Sequence, residues 1–276
     1  MSLDKLYGHH HELVDPYDVS LSKVTMDIFT KCELVYGYTP LHLAAAGGFI
    51  IIVKLLLKRA DIDPNKKNGH YGETPLHVAT ENENLDIVQL LLERTDTDPN
   101  KGNEFTGNTP LHSAASCGNL DIVELLLERA DIDPNGENKF GNTPLHSAVR
   151  FENLSIVKVL LERADIDPNK ENKFGNTPLH SAVRFENLNI VKVLLERADI
   201  DPNKENKNGE TVLHEAVKKV QLELVELLLE SSKIDPNQKN KNGETVLHEA
   251  VKKVHLKLVK LLLESSKIDP TQKNKV

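Results

Sequence analysis

Apolar residues recur along this chain in short bursts divided by polar stretches, and the bursts resemble one another. In Leu120-Asp121-Ile122-Val123-Glu124-Leu125-Leu126-Leu127, the side chains of Leu120, Val123, Leu126 and Leu127 fall at helical spacing, and Ile122 and Leu125 widen the stripe. So wide a stripe predicts a helix packed on two sides. A shorter group, Leu111, His112 and Ala114, precedes it across the break Cys117-Gly118-Asn119. Thr109 is placed to N-cap that first helix, and Pro110 suits its first position, where the missing N–H costs nothing. Asp131-Ile132-Asp133-Pro134-Asn135 then ends the second helix, because short polar side chains favour turns and proline blocks helix continuation. A projecting loop of about eight residues leads to the next threonine.

This pattern is periodic. Thr-Pro-Leu-His begins at Thr39, Thr74, Thr109, Thr143 and Thr177, and Thr-Val-Leu-His at Thr211 and Thr245, in steps of 34 or 35 residues. Asp-Pro-Asn keeps step from Asp63 to Asp235, and its seventh copy reads Asp269-Pro270-Thr271. Residues 137–172 and 171–206 differ only where Ser155 becomes Asn189. A catalytic site is rarely needed twice, whereas a unit that buries its apolar faces against its own copy is needed many times. The expectation is an all-α array of seven stacked helix-turn-helix repeats over 37–270.

The string Gly-x-Thr-Pro-Leu-His-x-Ala, followed by two variable residues and a helix like that of 120–127, resembles the ankyrin repeat. The resemblance covers 37–270. It implies an ankyrin-repeat solenoid: a curved stack of antiparallel helix pairs with hairpin-like loops on one side, and motif histidines bonded to loop backbone. Two departures stand out. Arg129-Ala130 occupies the place where the family usually ends its second helix with glycine, and the Asp-Pro-Asn loop lengthens the repeat by one residue. Hairpin geometry, not the fold, is what these put in question.

The ends differ from the middle. Residues 1–36 read as a polar leader containing an amphipathic capping helix at about 20–31, where Leu21, Val24, Ile28 and Phe29 share one face behind Ser20. The tail, 271–276, follows the sequence from 238 onward as far as Lys275 and reads as the start of a truncated repeat. Apolar content of 39% supports a substantial core. The net charge of −8 argues against a general nucleic-acid binder, which needs a basic field. Cys32 and Cys117 have no spacing that suggests a disulfide framework or zinc site, so a reducing compartment fits best. With neither a secretion signal nor a membrane-length apolar run, the expected location is cytoplasmic or otherwise intracellular, delivery into a host cell included, and no membrane partner is expected.

Candidate chemistry is sparse. One motif histidine per repeat (His42, His77, His112, His146, His180, His214 and His248) suggests metal at first, but packed helices about 10 Å apart hold such rings too far from one another to share one zinc. The cluster His9-His10-His11 lies in the leader without partnered carboxylates. Asp131 to Gly136 imitates the opening of a calcium loop, but Asn142 stands where the closing bidentate glutamate belongs. No nucleophile elbow, phosphate loop or nucleotide fingerprint is present, so no enzyme activity, cofactor or metal is expected.

Because the repeats are their own control, function is sought where matched repeats vary. By the resemblance, the residues after the helix-A alanine region face a concave groove; they include Arg150-Phe151, Arg184-Phe185, Lys218-Lys219 and Lys252-Lys253. Loop tips carry Tyr36, Tyr71, Phe105, Phe140 and Phe174, with Tyr38 just after its glycine. Eight of twelve aromatics thus fall on one expected surface, and exposed aromatics and arginines carry much of the binding energy at interfaces. The expected function is recognition of a protein or peptide with apolar anchors and acidic residues, with weak self-association at the C-terminal edge as a second contact. Two alternatives stand beside it: the phenylalanines pack between loops and fill space left by a missing glycine, or the chain is a designed or regularised scaffold with no natural partner.

Overall fold

The computed structural model describes residues 37–274. The capping helix expected at 20–31, together with Tyr36, Cys32 and His9-His10-His11, lies outside them. Fourteen helices and no strand occur among the described residues, in seven pairs one period apart. The pairs are α1 (Pro40–Ala46) with α2 (Ile50–Leu57), α3 (Pro75–Glu81) with α4 (Leu85–Leu92), α5 (Pro110–Cys117) with α6 (Leu120–Leu127), and α7 (Pro144–Arg150) with α8 (Leu154–Glu162). They continue as α9 (Pro178–Arg184) with α10 (Leu188–Glu196), α11 (Val212–Lys218) with α12 (Leu222–Glu230), and α13 (Val246–Lys252) with α14 (Leu256–Glu264). The chain divides between Pro110 and Leu111 into two compact units.

In the first unit α1 packs on α3 and α2 on α4, around Leu41, Leu76, Ile87 and Leu91. In the second, α7, α9, α11 and α13 form one row and α6, α8, α10 and α12 another. Leu145, Leu160 and Leu179 are among the side chains closed off between them. Each such burial stabilises by roughly 1.5–3 kcal/mol. The second helix of each pair buries a narrower stripe than its pattern suggests. In α6, Ile122, Val123, Leu126 and Leu127 are buried, whereas Leu120 and Leu125 are half-exposed. Leu120 is the first helical residue, beside the exposed Gly118 turn, and so stands at the open tip of the pair.

Local chemistry explains the helix ends. Thr143 accepts a hydrogen bond from the backbone N–H of His146, and the His146 ring accepts one from the Thr143 N–H at 3.2 Å. This is a capping box with histidine in place of the usual glutamate. The turn between paired helices requires a left-handed residue. Gly48 and Gly118 supply it without cost, but Glu83, Glu152, Glu186, Val220 and Val254 adopt the same region at φ 54–61°.

The missing glycine at the end of the second helix has a replacement. Arg163 pairs with Asp165 at 2.7 Å and donates through Nη1 to the Leu127 carbonyl at 3.1 Å, at the end of the preceding repeat's second helix. Arg94 does the same for Leu57 at 3.2 Å, and Lys267 reaches the Leu229 and Ser231 carbonyls at 2.7 and 2.8 Å. A cation therefore satisfies the carbonyls that a helix C-terminus leaves unpaired, and it sits at the negative end of the helix dipole.

Asp-Pro-Asn is a stacking device. Asp133 Oδ1 accepts from the Asn135 N–H at 3.0 Å. The Asn135 amide then donates to the Asp165 carbonyl at 2.6 Å and accepts from the Asp167 N–H at 2.9 Å, one repeat on. Asn65, Asn169, Asn203 and Asn237 repeat the two contacts.

Candidate functional site

The motif histidines are structural. His146 Nε2 lies 3.0 Å from the Asn176 carbonyl, which can only accept, so Nε2 carries the proton and Nδ1 is the acceptor facing Thr143. His42, His77, His112, His180 and His214 reach a carbonyl of the next loop in the same way, at 2.8–3.1 Å. The neutral ring fits this role, because a second ring proton would confront the threonine N–H. Burial pushes His112 and His146 down to about 4, and lowers His42, His180 and His214 as well. The residues that imitate a calcium loop are also committed elsewhere: Asp131 pairs with Arg129 at 2.7 Å and Asn135 belongs to the inter-repeat ladder.

Loop tips stack closely. The Lys173 N–H donates to the Phe140 carbonyl at 2.9 Å, and the Lys207 N–H to the Phe174 carbonyl at 3.0 Å. Gly141 makes this approach possible, with φ +74° and a position where a Cβ would lie 2.8 Å from the Lys173 nitrogen. The rings themselves point outward: Phe140 is 47% exposed and Phe174 62%. In the first unit Tyr71 and Phe105 meet edge to face at 5.7 Å, with His70 against Tyr71, and both aromatics remain exposed. Tyr38 is half-exposed and stacks on the His42 ring at 5.6 Å, so it also packs within its own repeat.

Phe151 and Phe185 occupy the C-cap positions of α7 and α9, which pack side by side. They are 54% and 40% exposed, which places them on the surface rather than in a gap. Their arginines are not equivalent, although their repeats are almost identical. Arg150 lies over Phe151, 5.9 Å from the ring centroid. Arg184 instead donates from Nε to Glu215 at 2.8 Å. The difference comes from the following repeat, which has Ser181 at the first place and Glu215 at the second.

The paired lysines also differ from expectation. Lys218 forms an ion pair with Glu210 and Lys252 with Glu244, while Lys219 donates to the Arg184 carbonyl at 2.6 Å. Lys253 is exposed. Much of the positive charge expected to attract acidic residues is thus neutralised locally. Glu215 and Glu249, both buried, were missed as members of this surface; burial raises the Glu249 carboxyl above its usual range. The signal was available, since Val-Leu-His-Glu replaces Pro-Leu-His-Ser in the last two repeats and a glutamate replaces Asn142 or Asn176 before the threonine. Among the described residues, no cluster of three or more His, Cys, Asp or Glu side chains is arranged to hold a metal ion, and no helix is long and apolar enough to cross a membrane.

Comparison with known proteins agrees with this geometry. A family model described as ankyrin repeats (3 copies) matches in overlapping stretches, 9–103, 41–138, 96–172, 132–206, 153–240 and 199–274. No curated protein matches the chain. Among solved structures, the chain is similar to the ankyrin repeat domain of Bcl-3, whose description calls it a unique member of the IkappaB protein family. Identity is 29% and the TM-score 0.71, over 82% of this chain and 99% of that one.

Proposed function

Since the chain belongs to the ankyrin-repeat family, whose repeats generally serve protein–protein interaction, we propose that it is a non-enzymatic module that binds a protein or peptide partner. The binding surface runs along the C-terminal ends of α7 and α9 and the neighbouring loop tips. One observation carries this reading. Two side-by-side repeats expose Phe151 and Phe185 at matching positions, with Phe140 and Phe174 exposed at the tips, while the core is aliphatic. Exposed aromatic rings in register are costly to leave in water and suit apolar anchors of a partner segment. Arg150, held over its ring, offers a guanidinium that a partner carboxylate can engage in two hydrogen bonds, whereas Arg184 is already occupied by Glu215.

The test is Phe151→Ala combined with Phe185→Ala. Because both rings are surface residues, the melt should move little, whereas truncation of central aromatic anchors costs roughly 2 kcal/mol or more of binding each. Affinity capture from a cell lysate, compared with the parent chain, should lose the partner. A folded double variant that captures it at full strength would place the site elsewhere, and an unfolded one would make the rings structural.

A further inference from the structure

The first described repeat has an outer face unlike that of any later one. On α2, Ile51 is 60% exposed, Ile52 44% and Leu55 59%. The position of Ile51 is held in later copies by Asp86, Asp121, Ser155, Asn189, Glu223 and Lys257, all polar. The position of Ile52 is filled later by Ile87, Ile122, Ile156, Ile190, Leu224 and Leu258, each at most 2% exposed. Ile87 belongs to α4, which packs against α2. Ile52 therefore has the residue type that a preceding layer covers, and Ile51 extends the apolar area past the width of an ordinary repeat junction. Three large aliphatic side chains on one helix face make an unfavourable surface in water.

We propose that residues 20–31 of this same chain, SLSKVTMDIFTK, cover this face through Leu21, Val24, Ile28 and Phe29. Three observations favour this occupant over a second copy or another protein. The four apolar residues follow helical spacing behind Ser20, so the segment offers an apolar stripe and a polar back. Eight residues, 32–39, join it to α1, and at about 3.3 Å per residue they reach about 25 Å, well beyond the roughly 10 Å between packed helices. The ankyrin match begins at residue 9, so the family pattern extends across the segment. Cover by 20–31 also accounts for Ile51, the one apolar residue at a position that is polar in every later copy.

A photoreactive benzoylphenylalanine introduced at position 51 of the full chain tests the contact directly. Irradiation of the monomer should yield an intramolecular product whose cross-linked peptide lies within 20–31. A cross-link to a second copy, or to another protein, or no product in 20–31, would overturn the assignment. Hydrogen exchange gives an independent reading. Ile28→Asp with Phe29→Asp should speed exchange in 50–57 by about tenfold or more and leave 154–162 unchanged, since each layer is stabilised by its neighbours. Unchanged protection of 50–57 in that variant would mean that something other than residues 20–31 protects the face.

Discussion

Mild acid should destabilise this protein chiefly through its histidines. His112 and His146 are held near pKa 4 by burial, against 6.5 for a solvent-exposed imidazole in the unfolded chain. The folded-state value is depressed, so at intermediate pH the unfolded chain binds more protons than the folded one. Their contribution to stability is then complete above about 6.5, falls as the pH drops through the interval down to about 4, and is absent below it. With those two values, each ring costs about 2 kcal/mol at pH 5, and the pair about 4 kcal/mol. His42, His180 and His214 shift in the same direction and add to this. The Arg-paired carboxylates of Asp96, Asp131, Asp165 and Asp199 lie below their usual range through the hydrogen bonds of their arginines, so their contribution disappears only at still lower pH. Glu73 and Glu249, raised by burial, act with the opposite sign and offset a part. Urea denaturation followed by circular dichroism at pH 7.5 and 5.0 measures the loss. His146→Gln should be less stable at pH 7.5 but should lose about 2 kcal/mol less on acidification than the parent. Parallel losses in parent and variant would refute the assignment of acid sensitivity to these rings.

Four further outcomes are expected. Leu145→Ala, at a site 1% exposed, should cost about 2–5 kcal/mol in a denaturant melt, and a melt unchanged within error would contradict the packed core. Val254→Gly should stabilise by about 0.5–1 kcal/mol, because a β-branched residue at φ 54° gives way to one that tolerates it, and the side chain removed is 87% exposed. Asn169→Ala removes both ladder bonds to the next repeat, at 2.6 and 2.8 Å, and should cost about 1–3 kcal/mol; no change in the melt would reduce the ladder to a geometric accompaniment. Leu256 and Leu263 on α14 are 66% and 52% exposed, so hydrogen exchange in the second unit should be fastest there or sedimentation should show self-association that Leu263→Glu removes.

What the sequence made legible is what each repeat determines by itself. Thr143 and Pro144 mark a helix start wherever they recur, and apolar spacing marks the second helix, because caps and amphipathic stripes depend on residues a few places apart. The Asp-Pro-Asn marker was legible as a turn but not as a ladder, since Asn135 finds its partners 30 and 32 residues away. The same distance hid the substitute for the absent glycine: nothing near Arg163 in the sequence points to the Leu127 carbonyl.

The candidate surface shows this limit most clearly. Arg150 and Arg184 sit in nearly identical sequence and in helices with the same caps, so local rules give them one pose. Yet one guanidinium lies over its neighbouring ring and the other is bound to Glu215, a residue of the next repeat whose equivalent one repeat earlier is Ser181. In a stack, each repeat supplies half of its neighbour's surface. It follows that Glu215→Ser should release Arg184 toward the ring of Phe185 and make the two positions alike. The partner proposed above should then bind more tightly, by the gain of a second guanidinium, with a steeper dependence on salt. If binding of the Glu215→Ser variant instead matches the parent at every salt concentration, carboxylate recognition at these arginines is wrong, whatever the phenylalanines do.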